Sequence, residues 1–455
     1  MRGSGTAALT ACATILICLT ILGLAMPHSV PGQFGIGYGA ALDRFVALGC
    51  VQGAVYAIAV ALLLRKRAAP SLALVLGVAF IMRAMVVAVP PFLSNDIYRY
   101  VWDGWVQAAG INPYRYIPDD QHLAFLRDNA VFPNINRASY AHTIYPPAAQ
   151  IGFLLITSMT RLLALPPVLG MKLAMLGFEA AAIWAMLGVL DEAGLPRSRV
   201  LIYAWNPIPL WEFAGSGHVD AMTVCAIAFA LLAACRARTG LAGAALGLAV
   251  LTKFLPIALA PALWRRWDWK FGVAITGVVI LLYLPYLGAG RAVFGFLGGY
   301  AAQEGIDSGH GIFLLDALGL LGPVPGWGSK LYLALFALAL AGVAAWMVWR
   351  PRPAKPGPAL TRLLARRCLI LGGVLMLGIS PHYPWYFPFL LLPACVVAAP
   401  AAIYLVTASV LLYLNPTHTG PFWPAMVFLP AAALAAGEFL TARPAVSPAP
   451  AGAPQ

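Results

Sequence analysis

Charge is what this chain has least of. Only 10% of its 455 residues are Asp, Glu, Lys or Arg, 61% are hydrophobic, and mean hydropathy is +0.83. A soluble domain of this length would show water far more charge, so a soluble enzyme is excluded. Lysine is scarcer still, six against twenty-three arginines, a bias that points to a GC-rich genome. The seven cysteines include no CxxC pair and no neighbouring His at ligand spacing, which argues against structural disulfides and zinc. No clear internal repeat is visible, which counts against a transporter built from two related halves.

What is present is a series of apolar runs, several long enough to cross a hydrocarbon core of about 30 Å. The expected fold is all-α: a polytopic transmembrane helical bundle of about 12 spans. The net charge of +13 reads first as topology. Arg2, Arg65-Lys66-Arg67, Arg236 with Arg238, and the run from Arg350 to Arg367 sit in short loops that should stay cytoplasmic. No nucleic-acid partner is implied, because these cations do not line one soluble face.

Thr6 to Met26 reads as a retained first helix, since its apolar run of roughly 20 residues exceeds a signal core. Helices near 7–26 and 45–64 form a hairpin and a third near 71–90 carries the chain outward; 329–349 descends to the basic loop, 367–380 rises to the PHYPWYFP turn, 386–399 descends again, and a last pair surrounds NPTHTGPFWP. The middle conflicts with the charge rule. Two spans at 145–164 and 167–190 would return Arg197 and Arg199 to the outside, so one segment should be short, tilted or re-entrant. Lys253 and Pro256 interrupt another run. Three parts are expected: a hairpin over 1–66, a transmembrane module over 67–440 with an external loop at 91–143, and a disordered Pro/Ala-rich tail over 441–455.

That loop is the most polar stretch. It holds Asp96, Asp103, Asp119, Asp120 and Asp128, five of the sixteen acidic residues. SNDIYRYVWDGW, residues 94 to 105, reads as a short amphipathic helix capped by Ser94 or Asp96, stopped at Gly110, and lying at the interface among Tyr98, Tyr100, Trp102 and Trp105. One reading gives Asp96 a capping role and leaves Asp103 as a solvated charge. Capping does not exclude chemistry: a carboxylate at this boundary is ionised and able to accept a proton.

Further motifs follow in order: G-x-N-P-Y (Gly110, Asn112, Pro113, Tyr114), I-Y-P-P (Ile144 to Pro147, containing Tyr145), N-P-x-x-L-x-E-x-x-x-x-G-H-x-D (Asn206 to Asp220), L-T-K-F-x-P (Leu251 to Pro256) and P-H-Y-P-W-Y (Pro381 to Tyr386). In this order they resemble the integral-membrane C-type (GT-C) glycosyltransferases. The likeness is to the bacterial polyprenol-phosphate-mannose-dependent, family 87-like group, over about residues 70 to 430. The resemblance implies Asp96 as catalytic base, in the place where that superfamily keeps an acid of the first external loop. It implies a polyprenyl-phosphate sugar as donor, with mannose as the sugar, and a cell-envelope glycan or glycolipid as acceptor. It also implies a bacterial plasma-membrane location with the site facing outward among membrane lipids. A β-linked donor would give an α-linked product by inversion. Several relatives carry D-x-D where this chain has Asp96 followed by Tyr98, so a divalent metal stays open and no cofactor is required by the motif.

Cations or hydrogen-bond donors for the departing phosphate should lie on the same face. Arg99, Asp103, Tyr145, His218, Asp220, His310, His382 and Tyr383 are the substrate-binding candidates there, with His382 favoured for the lipid phosphate because Trp385 adjoins it. Four of the seven histidines, His218, His310, His382 and His418, fall in separate expected external turns. Charges within apolar runs cost about 2.5 to 3.5 kcal/mol each on insertion scales, so Arg83, Lys172, Glu179 and Lys253 need reasons. Lys172 and Glu179 are about 10 Å apart along one helix, too far to pair. Arg83 is open to three readings: counter-ion of Asp96, phosphate ligand, or snorkelling side chain. Lys253 would line a lipid groove or pair with Glu212 or Glu179. A flippase or transporter of lipid-linked sugars and a non-catalytic scaffold are the competing classes.

Overall fold

The computed structural model describes residues 2–26, 38–296, 298–299, 311–414 and 420–441. His310, His418 and the tail after Thr441 lie outside the described residues. Every regular element among those described is helical, so the protein is an all-α helical bundle. Six helices are long and apolar enough to cross a membrane: Gly5–Leu24, Gly39–Leu64, Pro167–Glu192, Trp269–Phe294, Gly328–Trp349 and Phe422–Thr441. Five apolar segments are shorter, Leu72–Val87, Asp220–Cys235, Thr239–Thr252, Pro384–Val397 and Pro400–Leu414. A 16-residue helix such as Leu72–Val87 rises only about 24 Å, so irregular backbone must complete its reach. Around Trp269–Phe294 and Gly328–Trp349 only 11% and 6% of the apolar window is buried, which leaves those surfaces to lipid.

The first helices are α1 (Arg2–Leu24), α2 (Tyr38–Leu64), α3 (Leu72–Val87), α4 (Asp96–Ala108), α5 (Pro147–Leu162) and α6 (Pro167–Glu192). Their arrangement resolves the conflict between hydropathy and charge. Arg236 Nε lies 2.9 Å from Glu192 Oε1, Arg362 donates to the Ala193 carbonyl, and Arg352 to the Leu263 carbonyl. The segment holding Arg197 and Arg199 therefore sits at the same end of the bundle as the other arginine clusters. At the opposite end Lys172, early in α6, donates to the carbonyls of Val86 (3.3 Å) and Val89 (2.6 Å), where α3 terminates. Those carbonyls carry the negative end of the α3 dipole and supply the partners Lys172 needs.

It follows that α6 crosses and α5 does not. α5 lies along α4, where a Cβ on Gly104 would fall 2.5 Å from Thr157 Oγ1 and 2.6 Å from the Phe153 carbonyl. Only glycine permits that approach. Gly104→Ala is expected to push the helices apart and destabilise the protein by about 1–3 kcal/mol, read as a lowered unfolding midpoint in detergent; an unchanged midpoint would show that α4 and α5 do not need this contact.

The stretch expected as a regular helix over 367–380 begins earlier, at Pro358, and runs to Ile379. Proline suits the first helical position and arginine is a good helix former, so Arg362, Arg366 and Arg367 ride within it. The interruption at Lys253 is present: Thr239–Thr252 stops there, and a short 3₁₀ turn, Leu255–Leu259, follows.

Between α6 and Asp220 the chain threads the interior as short turns, including a wide π turn at Leu210–Gly215. Broken backbone at this depth is tolerable only if protein satisfies its polar groups. Asn206 caps its own turn through Ile208 N and donates to Thr407 Oγ1; Tyr56 OH donates to the Ile202 carbonyl; Trp205 donates to Val75 O and Trp211 to Gln52 Oε1. The GSGHVD piece, expected as an external turn, is thus buried, with His218 only 1% exposed.

Candidate active site

α4 starts within a residue of where the sequence places it, but the cap position is Asn95, whose side chain makes no cap bond, and not Ser94 or Asp96. Ser94 Oγ accepts the Asp96 N–H at 3.2 Å, and the chain leaves the helix through Gly110 at φ 78°. Asp96 is half-buried in the first helical turn, where the exposed N–H groups favour a carboxylate. Its Oδ1 accepts from Asn136 Nδ2 at 2.6 Å, and the same amide donates to Asn95 Oδ1 at 3.0 Å. This holds the carboxylate in one orientation at the end of the bundle away from the arginine clusters.

Asp103 is not a solvated charge. It is 2% exposed, its Oδ1 accepts from Arg99 Nε (2.8 Å), and its Oδ2 accepts from Thr143 Oγ1 (2.6 Å) and Gln150 Nε2 (2.9 Å). Arg99 also donates to the Ala141 carbonyl. The pair pins the end of the 91–143 loop to α4 and α5. Tyr286 OH closes the roof by donating to Gln107 Oε1, and Asn112 Nδ2 donates to the Tyr286 carbonyl.

Beneath Asp96 lies a buried aromatic and acid–base cluster. Tyr100 stacks on Phe153 (4.8 Å between centroids) and meets Tyr145 edge-on (5.0 Å). Its hydroxyl is 3.4 Å from His218 Nδ1, and the His218 ring stacks on Trp385 at 4.0 Å. His218 Nε2 is 3.7 Å from Glu212 Oε2, and neither atom has a hydrogen-bond partner. The other Glu212 oxygen accepts from Tyr413 OH at 2.6 Å. Asp96 lies within electrostatic reach of Tyr100, Glu212 and Asp220.

Asp220 begins its helix and receives Lys253 Nζ on both oxygens, each at 2.7 Å. Lys253 also lies 3.9 Å above the Tyr386 ring. Its partner is therefore Asp220, and neither Glu212 nor Glu179. The pair lines a narrow cleft with Thr223, Leu375, Trp385 and Phe389. Tyr383 stacks on Trp385 at 4.3 Å, while His382 Nε2 sits 3.1 Å from the Gly311 carbonyl.

The structure thus brings Asp96, Tyr145, His218, Asp220, Lys253 and Tyr383 to one end of the bundle, and gives Arg99 and Asp103 a structural partnership. Arg83 is not the counter-ion of Asp96. Its Nε and Nη2 hold Glu179 at 2.8 and 2.6 Å, and Nη1 donates to the Ala204 carbonyl. Among the described residues no three His, Cys, Asp or Glu side chains are grouped to hold a metal ion. Glu212 was legible as the acid of its motif, whereas Asn136 had no signal: one amide in a polar loop looks like any other.

A helical bundle that holds a half-buried carboxylate within electrostatic reach of a buried aromatic and acid–base cluster is an arrangement suited to acid–base catalysis. Residues 8–267 match the family model described as alpha-(1->6)-mannopyranosyltransferase, N-terminal domain. The match covers more than half of the chain, which therefore belongs to this family of membrane mannosyltransferases. It includes Asp96, His218, Asp220 and Lys253 and stops before the PHYPWY turn. Searches of curated proteins and of solved structures found no match.

Proposed function

We propose that the protein transfers mannose from a polyprenyl-phosphate donor to a hydroxyl of an envelope glycan or glycolipid, at the non-cytoplasmic rim of a bacterial plasma membrane. The placement of Asp96 carries this reading: a carboxylate in the first turn of α4, oriented by Asn136 and within electrostatic reach of Asp220, which lines an aromatic cleft. The arginine-rich end of the bundle supports the orientation, because basic loops stay cytoplasmic and Asp96 lies at the other end.

In this mechanism Asp96 takes the proton of the acceptor hydroxyl as its oxygen forms a bond to C1 of the sugar. The bond from C1 to the phosphate oxygen breaks, and its electron pair leaves with the polyprenyl phosphate. A single displacement inverts C1, so a β-linked donor yields the α linkage named in the family description. The same description supports a primary 6-hydroxyl as the acceptor nucleophile. Trp385, Tyr383 and Tyr386 offer ring faces for sugar, and His218 with Glu212 lies beneath them as a buried acid–base pair.

Purified protein in nanodiscs, given a polyprenyl-phosphate β-mannose and a mannoside acceptor, is expected to release polyprenyl phosphate in step with an α-(1→6)-linked product, read by mass spectrometry and NMR. An untouched donor would sink the reading, and a β-linked product would remove the single displacement.

A further inference from the structure

The end of the bundle opposite Asp96 holds guanidinium groups that no carboxylate answers. Arg199, in the 3₁₀ turn Arg197–Val200, has its Nε and Nη2 closed off from solvent, and neither atom has a hydrogen-bond partner. Nε and one Nη are the donors with which arginine grips an anion side-on. Burial is the first reason that this guanidinium sits below its ordinary pKa, and the charge of Arg362 within electrostatic reach adds to it. Arg362 donates to the Ala193 carbonyl at 3.4 Å. Arg366 follows one turn later on the same helix, Pro358–Ile379, so the two side chains share a face. Among the described residues none of Arg199, Arg362 and Arg366 is in an ion pair. The acids of this end are taken, Asp191 by Arg197 at 2.8 Å and Glu192 by Arg236 at 2.9 Å.

Arg366 also lines a groove of about 530 Å³. Its walls come from Pro358–Ile379, from the joint between Leu391–Val397 and Pro400–Ala408, and from Phe422–Thr441. Leu369, Val374, Leu377, Leu405 and Phe439 make those walls apolar. Glu438 is the one carboxylate among the lining residues, and its Oε1 accepts the Ala401 N–H at 2.7 Å. It thus serves a helix start and balances no arginine. Arg199 lies within electrostatic reach of Cys395, two residues before Val397 in the same wall, so the three cations and the groove adjoin.

We propose that the groove holds an anionic glycerophospholipid of the leaflet at the arginine-rich end, its phosphate against Arg199, Arg362 and Arg366 and an acyl chain along the apolar wall. Basic pockets between membrane helices suit lipid phosphates, because the headgroup supplies the missing charge while the chain fills the adjoining apolar space. A free anion would satisfy the arginines and leave the groove open. A zwitterionic headgroup would bring an ammonium against three guanidiniums. The lipid would tie the turn at Arg199 to Pro358–Ile379 and Phe422–Thr441, far from Asp96, so this site stands whether or not Asp96 is the base.

The test is native mass spectrometry of the full-length protein released from detergent, with dioleoyl phosphatidylglycerol, dioleoyl phosphatidylcholine, a polyprenyl monophosphate and inorganic phosphate as probes. The wild type is expected to retain phosphatidylglycerol about tenfold more tightly than phosphatidylcholine. Arg199→Gln and Arg366→Gln should each lower phosphatidylglycerol affinity about five- to fiftyfold and leave phosphatidylcholine unchanged. Gly373 lines the groove, and a Cβ there meets nothing within 4 Å, so Gly373→Leu should fill the space without disturbing the fold and weaken both lipids. Arg366 is exposed, so its variant reports even if Arg199→Gln fails to fold. Equal retention of the two glycerolipids, or a phosphatidylglycerol preference undiminished in the folded arginine variants, would overturn the site. Displacement by inorganic phosphate would reassign it to a free anion, and tighter binding of the polyprenyl monophosphate to a prenyl lipid. Dimers in place of lipid adducts would make the groove an interface between copies. Each of these three results also overturns the proposal.

Discussion

Asp96→Asn is expected to lower kcat for mannosyl transfer by about 10²- to 10⁴-fold while donor binding persists. The change is nearly isosteric, and an amide oxygen still accepts the hydrogen bond that Asn136 Nδ2 now gives to Asp96 Oδ1. What disappears is the ability to take a proton, because a neutral amide is not a base at neutral pH. The measurement is the initial rate at saturating donor, together with donor affinity. Turnover near wild type would remove Asp96 from the chemistry and leave it a helix-start residue. Asp103→Asn makes a useful contrast. Asp103 is enclosed by Arg99, Thr143 and Gln150, so its loss leaves a buried guanidinium without its carboxylate and should appear as reduced folded yield.

The second large effect belongs to Arg83 and Glu179. The pair is buried, bidentate and tied to the Ala204 carbonyl, so it joins α3, α6 and the interior turns at one point. Removing one partner strands a charge where water cannot follow. Glu179→Gln or Arg83→Met is expected to cost about 3–5 kcal/mol, seen as a lower unfolding midpoint and poor recovery from the membrane. Replacing both by apolar residues should restore much of that loss, since the desolvation of two charges disappears together with their attraction. If the single and double variants unfold alike, the pair is not what holds these segments. The transfer rate of whatever single-variant protein folds should stay close to wild type, because neither side chain lines the cleft beside Asp220.

The parts that were legible beforehand are local. α4 could be read from SNDIYRYVWDGW because its polar start and the glycine past its end are local signals, although the cap position fell on Asn95, whose side chain makes no cap bond, and not on Ser94 or Asp96. The interruption at Lys253 was visible because a proline follows it closely. Asp96 was marked by its position where an apolar run gives way to aromatics, and Glu212, His218 and Asp220 shared one motif.

The failures share a cause. Asp103 looked solvated, Arg83 looked free to meet Asp96, and GSGHVD looked like a surface turn, because each judgement used distance along the chain. Arg83 and Glu179 are 96 residues apart, and Tyr100 and His218 are 118 apart. α5 is the clearest case. Its apolar composition passes for a span, yet Gly104 lets it lie against α4, and that single close approach returns Arg197 and Arg199 to the arginine-rich end.

By itself the sequence determined that this is a membrane-embedded helical protein with basic residues gathered in a few short loops, since hydropathy and arginine placement are sums over residues and need no partner. Which carboxylate meets which cation, which polar atoms are left open toward a ligand, and which apolar helix lies flat instead of crossing were decided only by the tertiary structure. In a medium without water every charge must find its complement inside the protein, and that match is settled by distances in space.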